Sequence, residues 1–150
     1  MRHILLDSSP LSALCLPPRN PALVVIVRWA TSCIAAGHRL YIPEVIDYEL
    51  RRELLRAEKL GSIARLDTLT ATFRYLPITT ASMRLAADLW AQARCGGIPT
   101  GDPKKLDIDV ILAAQALTLS VPANDVIVAT SNAAHLSRFV AADEWSNIRP

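Results

Sequence analysis

Residues 4–10 read Ile4-Leu5-Leu6-Asp7-Ser8-Ser9-Pro10. Three apolar residues followed at once by an acid, two serines and a proline describe a short strand that feeds a helix, with Ser9 suited to the N-cap and Pro10 to the first helical position. Asp7 is then the last residue of a strand. Ligands of open parallel sheets collect beyond the carboxyl ends of strands, so Asp7 points toward the default site. An ordinary strand-end turn residue is the lesser alternative for Asp7 taken alone.

Outward from that unit the chain alternates strand and helix. Asn20-Pro21 opens a helix with Leu23, Ile26, Val27, Ala30 and Ile34 on one stripe, closed by Gly37. Residues 38–42 form a strand leading into a helix expected from near Pro43 to near Gly61. Ile63, Leu66, Leu69 and Phe73 mark another helix, residues 75–78 a short apolar piece, and Met83, Ala86, Ala87, Trp90 and Ala93 a further helix ending at Gly96-Gly97. Residues 97–105 carry two prolines and two glycines and are expected to be an exposed loop. Beyond Phe139 the tail shows no clear periodicity. Strands separated by helices imply an α/β chain with a parallel sheet covered on both faces, and 150 residues make one domain.

On the helix after Pro43, a wheel of roughly 100° per residue places Val45, Ile46, Leu50, Leu54, Ala57 and Leu60 on one apolar arc. Glu49 and Glu53 fall inside it, whereas Glu44, Asp47 and Glu58 fall outside. A carboxylate on a buried face is costly unless something pairs with it. Both are therefore candidates for chemistry, with ion pairing to Arg51, Arg52 or Arg56 the plain alternative, strongest for Glu53.

Residues 106–117 read Leu-Asp-Ile-Asp-Val-Ile-Leu-Ala-Ala-Gln-Ala-Leu. The unbroken apolar run describes a helix packed on nearly all sides and entered through two acids. One acid satisfies the orphan N–H groups and the dipole of a helix start, so capping falls mainly to Asp107 and chemistry mainly to Asp109, with an exchange of roles as the alternative. Residues 125–132 form a β-branched run ending Thr130-Ser131-Asn132. By the strand-end argument, Thr130 and Asn132 reach the same cleft as Asp7. The Asn132 amide can orient a metal-bound water without adding charge.

The order Leu6-Asp7, Glu49-Leu50, Asp109-Val110-Ile111-Leu112-Ala113-Ala114-Gln115-Ala116, Thr130-Ser131-Asn132 and His135 resembles the PIN-domain family, and within it the small VapC-type toxins of bacterial toxin and antitoxin pairs. The resemblance runs from Ile4 to about Phe139, and the Asp109 helix is its most specific stretch. Asn132 stands where many members have a further acid, and Leu136 stands where an aromatic is common. The resemblance implies a three-layer α/β/α sandwich with a mostly parallel sheet, RNA as substrate, a cognate antitoxin protein and a homodimer. It implies a catalytic set of Asp7, Glu49, Asp109 and Asn132, to which the helix-face, helix-start and strand-end arguments above add Glu53, Asp107 and Thr130 as accessory residues.

Charge argues for a metal independently. Two carboxylates about 4 Å apart repel by roughly 4 kcal/mol at an effective dielectric of about 20, so Asp7, Glu49 and Asp109 sharing a cleft require a proton or a cation. Hard oxygen donors favour Mg²⁺ or Mn²⁺. Arg51 and Arg52 on the Glu49 helix, and Lys104 and Lys105 before Asp107, are placed to hold RNA phosphates beside such a cleft. A solvated helix face and a soluble loop explain them equally well.

Composition excludes several classes. A formal charge of +2, from 16 basic and 14 acidic residues, does not mark a nucleic-acid partner. The longest apolar run, residues 22–27, is broken by Arg28, leaving no membrane span and no secretory segment, so a cytoplasmic protein is expected. Cys15, Cys33 and Cys95 lack zinc spacing and an even count, and are expected to be buried thiols. Aromatics at 5% disfavour a stacking surface for single strands, and Trp29, Trp90 and Trp145 are expected in the core or a dimer contact. The leading reading is a Mg²⁺- or Mn²⁺-dependent endoribonuclease. A catalytically weak RNA- or protein-binding module and a phosphatase acting on small substrates are the alternatives.

Overall fold

The computed structural model describes residues 1–96 and 103–150. Among the described residues five strands, β1 (His3–Leu6), β2 (Arg39–Pro43), β3 (Arg74–Leu76), β4 (Val126–Thr130) and β5 (Ala142–Glu144), form one sheet in the order β3-β2-β1-β4-β5. Every pairing is parallel. The connections are helical: α1 (Ser8–Leu14), α2 (Pro21–Ala35), α3 (Glu44–Arg56), α4 (Leu60–Thr72), α5 (Thr80–Cys95), α6 (Pro103–Leu117) and α7 (Ala133–Leu136). This is the expected α/β/α sandwich. Ile4, Leu5 and Leu6 have no exposed surface, as a central strand covered on both faces requires.

Several local expectations change. Asp7, not Ser9, caps α1: its Oδ1 accepts from Ser8 N at 2.7 Å, and Pro10 is already the third helical residue. The stripe of α2 that enters the core is Ile26, Trp29, Ala30 and Cys33, while Val27 and Ile34 are exposed. The long helix expected to reach Gly61 stops at Arg56. Lys59 N bonds Leu54 O and Glu58 N bonds Leu55 O, the paired closure of a Schellman motif, with Glu58 at φ 55°. Ala57 and Leu60 are consequently exposed instead of continuing the apolar arc. The unassigned tail supplies β5, and Trp29 Nε1 donates to Ile148 O at 2.9 Å while its ring meets Trp145 edge-on. Cys15 and Cys33 are buried, but Cys95 is exposed. Trp90 is 40% exposed, so it lies outside the core. Among the described residues no helix is long and apolar enough to cross a membrane.

Glu58 holds a left-handed conformation that L side chains adopt at a cost of roughly 1–2 kcal/mol. Glu58→Gly is therefore expected to raise stability by about 0.5–1 kcal/mol, read as an increased Tm; an unchanged or lower Tm would contradict the strain assigned to this turn.

Candidate active site

The chain runs outward from β1 to β2 and β3, then crosses back to β4 and β5 on the other side of β1. The crevice between β1 and β4 is thus a topological switch point, where open α/β sheets bind ligands. Register sets Leu6 opposite Ala129, which brings Asp7 and Thr130 together just beyond the strand ends. Thr130 Oγ1 donates to Asp7 Oδ2 at 2.7 Å and accepts from Asn132 N at 2.9 Å. With Ser8 N on Oδ1, both oxygens of Asp7 are oriented. Thr130 is fully buried, and Asn132 is half-buried at the N-cap of α7 with no side-chain cap bond.

Asp109 comes to this crevice from α6 and is only 5% exposed. Burial above all, then the Asp7 carboxylate and, more weakly, Glu49, push its carboxyl up to about 6; the cations of Lys105 and Arg138 oppose them. Mutual influence of this kind means that Asp7, Glu49 and Asp109 share one electrostatic neighbourhood. Glu49 is half-buried and, with Glu53, lines a groove against Ser8, Ser9 and Ser12 of α1.

The other expected residues separate. Glu53 is exposed and ion-paired with Arg56 at 2.9 Å, so it follows the pairing alternative. Arg51 bonds Asp47 at 3.0 Å and Asp67 at 2.7 Å, joining α3 to α4. Arg52 lies over the Tyr48 ring on the exposed side of α3. Glu44, expected toward solvent, is half-buried, and its Oε1 accepts from Ile78 N at 3.0 Å. The helix bearing Asp109 begins at Pro103, so Asp107 is an exposed residue of the helix interior and cannot cap it. Lys104 and Lys105 are in its first turn, not in a loop; the rest of that expected loop, residues 97–102, lies outside the described residues. Arg138 was not legible as a site residue, because nothing in its local sequence signals that the segment after α7 returns toward Asp109.

The donor set suits a hard divalent cation: carboxylates, a threonine hydroxyl and an amide, with Asp109 held in a place that disfavours its charge. Among the described residues no three His, Cys, Asp or Glu side chains converge on one ligating point.

Because the folded-state pKa of Asp109 lies above its ordinary 3.8, the folded chain keeps a proton that the unfolded chain releases. Stability contributed by this group is present at low pH and lost as pH rises through about 6. In chelator, Asp109→Asn should thus melt above wild type near pH 7, with the gap shrinking toward pH 4. Calorimetry across that range checks it; a gap independent of pH would refute the burial and repulsion assigned to Asp109.

The PIN domain family model matches residues 4–139. No curated protein matches the chain. Among solved structures, VapBC2 from Rickettsia felis, bound to a DNA fragment from the promoter, is 13% identical, with TM-score 0.69 and coverage of 95% of this chain and 98% of that one. FitAcB from Neisseria gonorrhoeae is 21% identical at TM-score 0.69, covering 97% and 99%. VapBC-1 from nontypeable Haemophilus influenzae is 17% identical at TM-score 0.68, also covering 97% and 99%. At these identities the structures speak for the fold. The family model spans nearly the whole domain, including Asp7, Glu49, Asp109 and Asn132, and the chain belongs to the PIN domain family.

Proposed function

We propose that the chain is a Mg²⁺- or Mn²⁺-dependent endoribonuclease, the VapC-type toxin of a toxin and antitoxin pair. PIN domains are generally nucleases. The observation that carries the metal-dependent reading is the buried Asp109, whose charge is disfavoured by burial and by Asp7 and Glu49, since a cation relieves all three carboxylates at once. Asp7 and Asp109 are the ligands of choice, with Glu49 completing the acidic side of the crevice. A bound ion would lower the pKa of a coordinated water and offset charge building on a phosphoryl oxygen.

The chain's own residues have separable tasks. Thr130 and Ser8 N hold the Asp7 carboxylate in one orientation, so no rearrangement is needed when a ligand arrives. The burial of Asp109 keeps bulk water from that side. Asn132 offers an amide oxygen or N–H to orient the attacking water. Lys105 and Arg138, the cations felt at Asp109, are better placed for substrate phosphates than Arg51, which is engaged by Asp47 and Asp67. Lys104 belongs to the same helix turn as Lys105, and Arg52 remains a more distant contact.

RNA as substrate rests on the family resemblance. The partner reading has support on α2, where Val24, Val25, Val27 and Ile34 are each more than 40% exposed, an apolar surface of the kind that marks a protein contact. A cognate antitoxin and a second copy of the chain are the proposed partners, with the cytoplasm as the setting. The absence of a fourth acid at Asn132 favours one alternative, a module that binds RNA or protein without cutting.

Incubation of the purified chain with matched RNA and DNA oligonucleotides in Mn²⁺ or chelator separates these readings. RNA alone should be cut, and only with metal. Asp109→Asn and Glu49→Gln should each reduce the rate on the order of 100-fold, whereas Glu58→Gln, exposed beyond the end of α3, should stay within about twofold. Metal-independent cleavage, or none by well-folded wild type, would contradict the proposal.

A further inference from the structure

Helix α3 carries Glu49, yet it begins without a cap of its own. Its N-cap residue is Pro43, which makes no side-chain cap hydrogen bond. The first N–H groups of a helix have no partner within it, and a buried start needs one from elsewhere. Here it comes from another helix. Gln115 of α6 is 2% exposed, and its Oε1 accepts from Val45 N at 3.3 Å while its Nε2 donates to Leu76 O at 2.8 Å. The buried amide is therefore satisfied on both sides by backbone, at the start of α3 and at the end of β3.

The same junction is clipped a second time. Glu44, beside Val45, accepts from Ile78 N, so the segment 76–78 is held by one side chain from α6 and one from α3. Val45 lies one helical turn before Glu49 on α3, and Gln115 lies on the same rigid helix as Asp109. A shift of Val45 relative to Gln115 is thus a shift of Glu49 relative to Asp109.

We propose that Gln115 is a positioning residue: by capping α3 from α6 it sets the separation between Glu49 and Asp109. The inference rests on the reading of those carboxylates as parts of one metal-dependent site, and it assigns Gln115 no contact with metal or substrate. Its chemistry is specific to the amide. Methionine matches its length but supplies neither bond. Glutamate keeps an acceptor for Val45 N and loses the donor to Leu76 O.

The test combines a distance and a rate. Spin labels at Leu55→Cys on α3 and Leu117→Cys on α6, in a Cys95→Ser chain, report the α3 to α6 separation by pulsed dipolar spectroscopy. Gln115→Met should broaden or displace that distribution, and so should Gln115→Glu, whose buried carboxylate would face the Leu76 carbonyl oxygen. In the unlabelled chain Gln115→Met should lower kcat on RNA and Mn²⁺ affinity on the order of tenfold with KM little changed. Leu66→Val, a core substitution on α4 assayed at equal distance below its own Tm, should keep both within about twofold. An unchanged label distance in Gln115→Met, or equal losses in Leu66→Val, would overturn the positioning role. A folded wild type that neither binds Mn²⁺ nor cuts RNA would overturn the site reading beneath it, and with it any catalytic purpose for the tie, while the label distance would still report whether Gln115 holds α3 to α6.

Discussion

Parallel pairing of β1 with β4 is the constraint on which the site depends. The two strands are distant in sequence and reach each other only because the chain reverses its direction across the sheet after β3. Hydrophobic burial of Ile4, Leu5 and Leu6 on both faces fixes β1 at the centre. Ladder register then carries the pairing upward until the first polar residues beyond it, Asp7 and Thr130, meet at 2.7 Å. A slip of one residue would turn the side chains of β1 to the wrong faces, so core packing and site geometry are enforced by the same register.

Opposite uses of charge lie side by side in this molecule. On the outer part of α3, acids and bases neutralise each other: Arg51 joins Asp47 and Asp67, and Arg56 joins Glu53. The exposed Arg56–Glu53 pair adds little stability, the Arg51–Asp47 pair is half-buried, and both withdraw their members from other work. At Asp109, burial and then the Asp7 and Glu49 carboxylates push the carboxyl up to about 6. Lys105 and Arg138 offset part of that cost, and a bound cation or a proton would relieve the rest.

Helix boundaries show where local chemistry suffices and where it does not. Gly37, at φ 90°, and Glu58, at φ 55°, close α2 and α3 with the same pair of hydrogen bonds. Glycine announces such a turn because only it takes that backbone freely, so the end of α2 was legible. Glutamate carries no such signal, and Gly61, which does, lies inside the first turn of α4. The cap of α3 was illegible for a related reason: its acceptor is Gln115, 70 residues away.

The sequence by itself determined the α/β class, the parallel order implied by alternating elements, and the strand-end placement of Asp7, Thr130 and Asn132, because burial period and turn chemistry are local properties. It also singled out Asp109 over Asp107, though for a capping reason that does not hold, since α6 starts at Pro103. Tertiary structure alone decided which of the remaining charges belong to the crevice. Helical spacing put Glu49 and Glu53 on one arc, and both line the groove against α1, but Glu53 is exposed and paired with Arg56 whereas Glu49 is half-buried and felt at Asp109. Arg51 went to α4, and Arg138 came within electrostatic reach of Asp109 from the far end of the chain. A side chain's partner depends on which elements pack beside it, and that is a long-range property no local pattern encodes.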